Sequence, residues 1–308
     1  MRAFIFPGQG SQAVGMGAAL ADASRSARDV FDEVDEALGQ NLFRLMRDGP
    51  DEELKLTENA QPAIMAHSIA VLRTMGVRLT DVASFVAGHS LGEYSALCAA
   101  GSFDLPTTAK LLKLRGQAMQ QAVPVGEGAM AALLGADLAL AQKIAEAASR
   151  GEVCTVANDN DPSQVVISGA KSAIDRAIAI AKDMGAKRAV PLPVSAPFHC
   201  PLMQPAAEAM ADALSYVVVQ PPAVPLYANV TAEASTDPDT IRNQLVEQVT
   251  GMVRWRESVV NMTQAGVHEF VEIGGKVLGS MVKRIAPEAQ VTSIVTIQDV
   301  EAAAKEIA

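Results

Sequence analysis

The chain has 308 residues, 49% of them apolar but only 4% aromatic, so a sizeable core must be filled by Ala, Leu, Val and Met, a composition suited to an α/β protein. A formal net charge of -10 argues against nucleic acid as a partner, since phosphate binding needs a basic surface. Cys98, Cys154 and Cys200 are scattered with no Cys-x-x-Cys pair, and there are only four histidines, which argues against a disulfide framework and against a metal centre.

Taken in chain order, Ala3–Phe6 is a short apolar run ended by Pro7-Gly8 and reads as a buried strand. That run is too short for a signal peptide. No uninterrupted apolar stretch reaches the about 18 residues of a membrane helix, so a cytoplasmic protein without membrane contact is expected. Pro7-Gly-Gln-Gly-Ser-Gln12 follows. As a dinucleotide fingerprint it lacks the third glycine and a later acidic strand end. Its glycines would equally let the backbone at Gln9 approach a neighbouring turn. Helical spacing covers Val30–Leu45, and Ala63–Met75 is an apolar helix opened by Pro62. Ser84–Ala87 is a second strand, and Leu91–Ala100 continues as a helix of mostly small residues.

Between them lies Gly88-His89-Ser90-Leu91-Gly92, a G-x-S-x-G pattern with a strand before it and a helix after it. Such an elbow is tight, so the residues two before and two after the serine must be small. The serine oxygen then stands at a helix N-terminus, whose free N–H groups can hold a tetrahedral oxyanion. An ordinary glycine-rich turn is the alternative. Further on, the helix Leu105–Ala122 has Pro106 at its start and Arg115 on the same face as Leu111, Leu112, Ala118 and Met119. A cation there is snorkelling, paired internally, or waiting for an anionic ligand.

Residues from about Gly126 to Ser195 change character. Strand Ala129–Leu134, helix Leu138–Ala148, strands Val153–Ala157 and Gln164–Ser168 joined by the polar turn 158–162, helix Lys171–Met184 and strand Arg188–Leu192 follow in turn. The order β-α-β-β-α-β is that of a ferredoxin-like unit. The expected organisation is therefore a large α/β domain with a parallel sheet, residues 1–125 and 197–308, interrupted by a small ferredoxin-like domain, residues 126–196.

A serine nucleophile needs a base. His67 lies in an apolar helix, His268 beside Glu269 before the strand Phe270–Ile273, and His89 next to the serine, where an elbow turns it away. His199, in the stiff loop Ser195-Ala-Pro-Phe-His-Cys-Pro201, remains the leading candidate. No acid stands in a strand-end motif between serine and histidine, so a backbone carbonyl could orient the imidazole. Lys187 and Arg188 sit together near the end of the inserted segment, either as a solvated pair or as a local basic patch for an acidic partner.

These residues resemble the malonyl-CoA:acyl carrier protein transacylases of bacterial fatty acid synthesis. The resemblance covers nearly the whole chain. Its motifs are Phe6 through Gln12, Gln61-Pro62, Gly88 through Glu93, Arg115, Asn158 through Gly169, Gly185 through Arg188, Pro197-Phe-His199, Asn229-Val-Thr231 and Val271 through Gly274. It departs at Gly274-Gly275, where many relatives have Gly-Pro. The resemblance implies a hydrolase-like core with a ferredoxin-like insertion, and a dyad of Ser90 and His199. It implies the main-chain carbonyl of Gln248 as the histidine's orienting partner and the backbone N–H groups of Gln9 and Leu91 as oxyanion donors. Arg115 would grip the malonyl carboxylate, and Phe198 and Leu91 resemble the malonyl-selecting type. It further implies ping-pong transfer from malonyl-CoA to acyl carrier protein with no cofactor, and action as a monomer is expected. Rival readings are a thioesterase or esterase of the α/β-hydrolase type, a non-catalytic Rossmann-like module, the malonyltransferase of malonate decarboxylase, and a stand-alone acyltransferase serving a polyketide synthase.

Overall fold

The structure is a computed structural model that describes residues 1–304. Among the described residues ten strands form two sheets. The first contains β1 (Arg2–Phe6), β2 (Phe85–Gly88), β7 (Leu226–Tyr227), β8 (Ala234–Ser235), β9 (Glu269–Ile273) and β10 (Gln290–Ile294), in the order β10-β9-β1-β2-β7-β8. Its pairs are parallel except the last, where β8 runs antiparallel to β7, so this is a mixed sheet. β1 is apolar from Ala3 to Phe6 because both faces are covered there. Phe4 and Phe6 face the cluster holding Ala63, Ile64 and Leu97, and Ala3 and Ile5 face the one around Trp255, Val259 and Phe270.

The second sheet is antiparallel, in the order β4-β5-β3-β6, from β3 (Gly128–Leu134), β4 (Cys154–Asp161), β5 (Gln164–Ala170) and β6 (Arg188–Pro191). The helices Leu138–Ser149 and Lys171–Ala181 lie on one face of it, where Ile144, Val165, Ile167 and Ile174 make a separate core.

Three sequence-based expectations need correction. The helical stretch Val30–Leu45 is two helices, Arg25–Leu38 and Leu42–Asp48. Gly39, in the left-handed region at φ 58°, ends the first, and its N–H turns back to Asp35 and Glu36. Pro62 does not open its helix, which begins at Thr57 and carries the proline inside it. As the sixth residue of the helix it forfeits the bond its N–H would give to Glu58 O, a loss that the packing of this buried stretch outweighs. Finally, 158–161 is not a turn. β4 continues to Asp161 through two register irregularities, and the turn shrinks to Pro162-Ser163.

That polar run is buried because partners from the larger unit meet it. Asp159 pairs with Arg256 at 2.8 Å, Asp161 with Arg284 at 2.7 Å, and Asn160 Oδ1 accepts from His89 Nε2 at 2.8 Å. No helix among the described residues is long and apolar enough to cross a membrane.

Candidate active site

Neighbouring parallel strands deliver the site. β1 and β2 pair Phe6 with Gly88, and β2 pairs with β7, so the loops carrying Gln9, Ser90 and Asn229 leave the same sheet edge side by side. The elbow allows no side chain at its flanks. A Cβ on Gly88 would lie 1.9 Å from the Gly92 carbonyl, and one on Gly92 would lie 2.2 Å from Phe6 O. Ser90 itself sits at φ 54°, a strained position for a residue other than glycine. Asn229 holds it there: its Oδ1 accepts from Ser90 N at 2.8 Å and its Nδ2 donates to Gly88 O at 2.7 Å.

His199 approaches from the segment after β6, also in the left-handed region at φ 56°. Ser90 Oγ lies 2.8 Å from His199 Nε2, and His199 Nδ1 lies 2.8 Å from the backbone oxygen of Gln248. That carbonyl belongs to the last turn of the helix Pro238–Thr250, where main-chain oxygens have no intrahelical donor. With Nδ1–H given to the carbonyl, Nε2 keeps its lone pair for the serine proton. Burial, and next the positive charge of Arg115, push the imidazole pKa down to about 3. The ring is therefore neutral and able to accept a proton at neutral pH.

Arg115 is 1% exposed and makes no ion pair among the described residues. Nη1 donates to Gln61 Oε1 at 2.8 Å, and Nη2 donates to Gln248 Oε1 at 2.9 Å and to Ser90 Oγ at 3.2 Å. Nε has no partner among the described residues. The guanidinium carbon stands 5.7 Å from the centre of the Tyr94 ring. Desolvation disfavours its charge. A buried cation held by neutral amides is what a site for an anionic group requires.

The backbone N–H groups of Gln9 and Leu91 donate to nothing among the described residues, whereas Ser90 N is taken by Asn229. Gly8 is pressed against the His89 backbone, where a Cβ would come within 2.8 Å of His89 O, so the Gln9 loop abuts the elbow. His89 points away toward Asn160, His67 is buried against Gly274 O, and His268 meets the N-terminal amine. Lys187 and Arg188 are exposed, at the start of the edge strand β6, and their side chains contact neither Ser90 nor His199. Among the described residues no cluster of His, Cys, Asp and Glu could hold a metal ion.

Sequence reasoning assigned no part to Gln61, Glu93, Asn229 or the side chain of Gln248, all buried around the dyad. Glu93 did leave a signal: it is the one charged residue in the helix Gly92–Ala99, and burial there demands partners.

The acyl transferase domain family model matches residues 3–293. The malonyl CoA-acyl carrier protein transacylase of Haemophilus influenzae is 46% identical over 294 residues, 95% of this chain and 94% of that protein. The Bacillus subtilis protein of the same name is 46% identical, covering 92% and 90%. A crystal structure of an acyl-carrier-protein S-malonyltransferase from Bartonella henselae superposes with a TM-score of 0.97 at 50% identity, covering 99% of each chain. A malonyl-transacylase in complex with a type II PKS acyl-carrier protein gives 0.96 at 40% identity, again covering 99% of each. This chain belongs to the acyl transferase domain family and, within it, to the malonyl CoA-acyl carrier protein transacylases.

Proposed function

We propose that the enzyme moves a malonyl group from malonyl-CoA to the phosphopantetheine thiol of an acyl carrier protein, supplying fatty acid synthesis through a malonyl-Ser90 intermediate. One observation carries the reading: a buried guanidinium without a carboxylate partner, Arg115, stands 3.2 Å from the Oγ of a serine already paired with a neutral histidine.

In the first half-reaction His199 Nε2 takes the Ser90 proton as Oγ bonds to the thioester carbon. The oxyanion falls to the N–H groups of Gln9 and Leu91, and the partial positive charge at the start of the helix Gly92–Ala99 adds to them. The C–S bond breaks, and the coenzyme A sulfur leaves with the proton from His199. In the second, the carrier thiol gives its proton to His199 and its sulfur attacks the ester. The C–O bond breaks, and Ser90 takes the proton back. Arg115 holds the malonyl carboxylate throughout. Proton transfer and oxyanion binding carry both halves, so the route requires no metal or redox group. A single chain supplies every group, consistent with action as a monomer.

We read the first sheet and its helices as a hydrolase-like catalytic domain, residues 1–125 and 197–308, the last four lying outside the described residues. Residues 126–196 form an inserted ferredoxin-like domain; the strand order β4-β5-β3-β6 supports this. Lys187 and Arg188, exposed and without ion-pair partners among the described residues, serve as a contact for the acidic carrier. Incubation with malonyl-CoA and the phosphopantetheinylated carrier tests the function. Malonyl-carrier is the expected product; free malonate as the main product would instead support a thioesterase.

A further inference from the structure

The dyad and Arg115 meet at the side chain of Gln248. Its Oε1 accepts from Arg115, while its Nε2 donates to Ser90 O at 3.0 Å, to Asn229 Oδ1 at 3.3 Å and to Glu93 Oε2. Turned over, the same amide would aim N–H at a guanidinium and its oxygen at three acceptors. Of those three, Glu93 alone offers a side-chain acceptor that makes no direct side-chain contact with the elbow backbone. It lies in the first turn of the helix after Ser90, is 1% exposed, and also accepts from Asn229 N at 3.3 Å. Its Oε1 has no partner among the described residues.

We infer that Glu93 is a positioning residue for malonyl selection, fixing the Gln248 amide with its oxygen toward Arg115 and its nitrogen toward the elbow. The inference rests on the reading of Ser90, His199 and Arg115 given above. The charged and titratable groups facing Glu93 are Arg115, from the helix Leu105–Gln121, and its neighbour Tyr94; His199 stands beyond Gln248. Burial raises the Glu93 carboxyl to about 8, despite hydrogen bonds from Gln248 and Asn229 and the charge of Arg115. At neutral pH it is therefore an uncharged acceptor. That suits the site, because a second carboxylate here would compete with malonyl for the field of Arg115. Glutamine is the uncharged mimic of this state, and leucine removes the acceptor at similar volume.

The test compares kcat/KM for malonyl-CoA and acetyl-CoA across pH in wild type, Glu93→Gln and Glu93→Leu. Leucine should lower the malonyl-to-acetyl ratio about tenfold or more, the usual effect of losing support for a hydrogen bond to a charged group. Glutamine should keep the ratio near wild type. In wild type the ratio should fall as pH rises past about 8 and Glu93 ionises, while in Glu93→Gln it stays flat. A leucine variant with the wild-type ratio overturns the inference, as does a glutamine variant that loses as much as leucine. If leucine does not fold, a glutamine variant that still shows the wild-type fall above pH 8 overturns it alone. Wild type with no malonyl preference at any pH overturns the Arg115 reading itself, which separates the two failures.

Discussion

Replacing Arg115 with alanine should remove the preference for malonyl over acetyl groups. Both thioesters present the same carbonyl and differ by one carboxylate, so discrimination needs a cation in the pocket. Arg115 is fully buried and its Nε is uncommitted, as is the second hydrogen on Nη1. Removing one partner of such a pair costs about 2–5 kcal/mol. At about 1.4 kcal/mol per decade this is roughly 30- to several-thousand-fold in kcat/KM for malonyl-CoA. Acetyl transfer should hold or rise, since Ser90, His199 and the Gln248 carbonyl keep their places. Lysine should rescue poorly because it offers a point charge and no fork. The pH profile gives a second reading. Arg115 depresses the His199 pKa after burial does, so its removal lets that pKa rise toward the ordinary histidine value. The base must be unprotonated, so the acid limb of acetyl transfer should move to higher pH in Arg115→Ala. Steady-state transfer of both acyl groups across pH is the assay. Equal loss of malonyl and acetyl transfer would refute the argument, because it would mean the arginine only supports the fold.

Lys187→Glu with Arg188→Glu should raise the KM for the carrier and leave acylation by malonyl-CoA unchanged; unaltered carrier kinetics at low salt would remove the patch from the account. Arg284→Ala removes the ion-pair partner of Asp161, which is 0% exposed and keeps only its hydrogen bonds from Ser163; Arg284 itself is 43% exposed. A loss of about 1–3 kcal/mol is expected, below the fully buried range because water reaches the arginine. Thermal unfolding should show it, with partial recovery when Asp161→Asn is added.

Much of the fold was legible because the signals were local. An apolar run stopped by Pro-Gly marks β1, and small residues around a serine between strand and helix mark the elbow. Failures occurred where tertiary partners outvote local preference. Asn158-Asp-Asn-Asp161 has the composition of a turn, and it pairs with β5 as a strand because Arg256, Arg284 and His89, distant in sequence, satisfy its buried side chains. Pro62 is tolerated inside a helix for a related reason. At the site, Ser90 and Arg115 stood out through pattern and through a cation on an apolar face. His199 emerged by elimination, and the structure brings all three together. Gln248 left no trace in composition or spacing, because its backbone oxygen acts through its place at a helix end and its side chain through neighbours from three separate segments.

The central claim is a covalent malonyl group on Ser90 that passes to the carrier. Intact-protein and peptide mass spectrometry of wild type and Ser90→Ala, after malonyl-CoA and then after the phosphopantetheinylated carrier, tests it directly. Wild type should gain one malonyl group on the peptide containing Ser90 and lose it as malonyl-carrier forms, and Ser90→Ala should gain none. A malonyl adduct on Ser90→Ala, or malonyl-carrier formed without any adduct on the enzyme, would contradict the account.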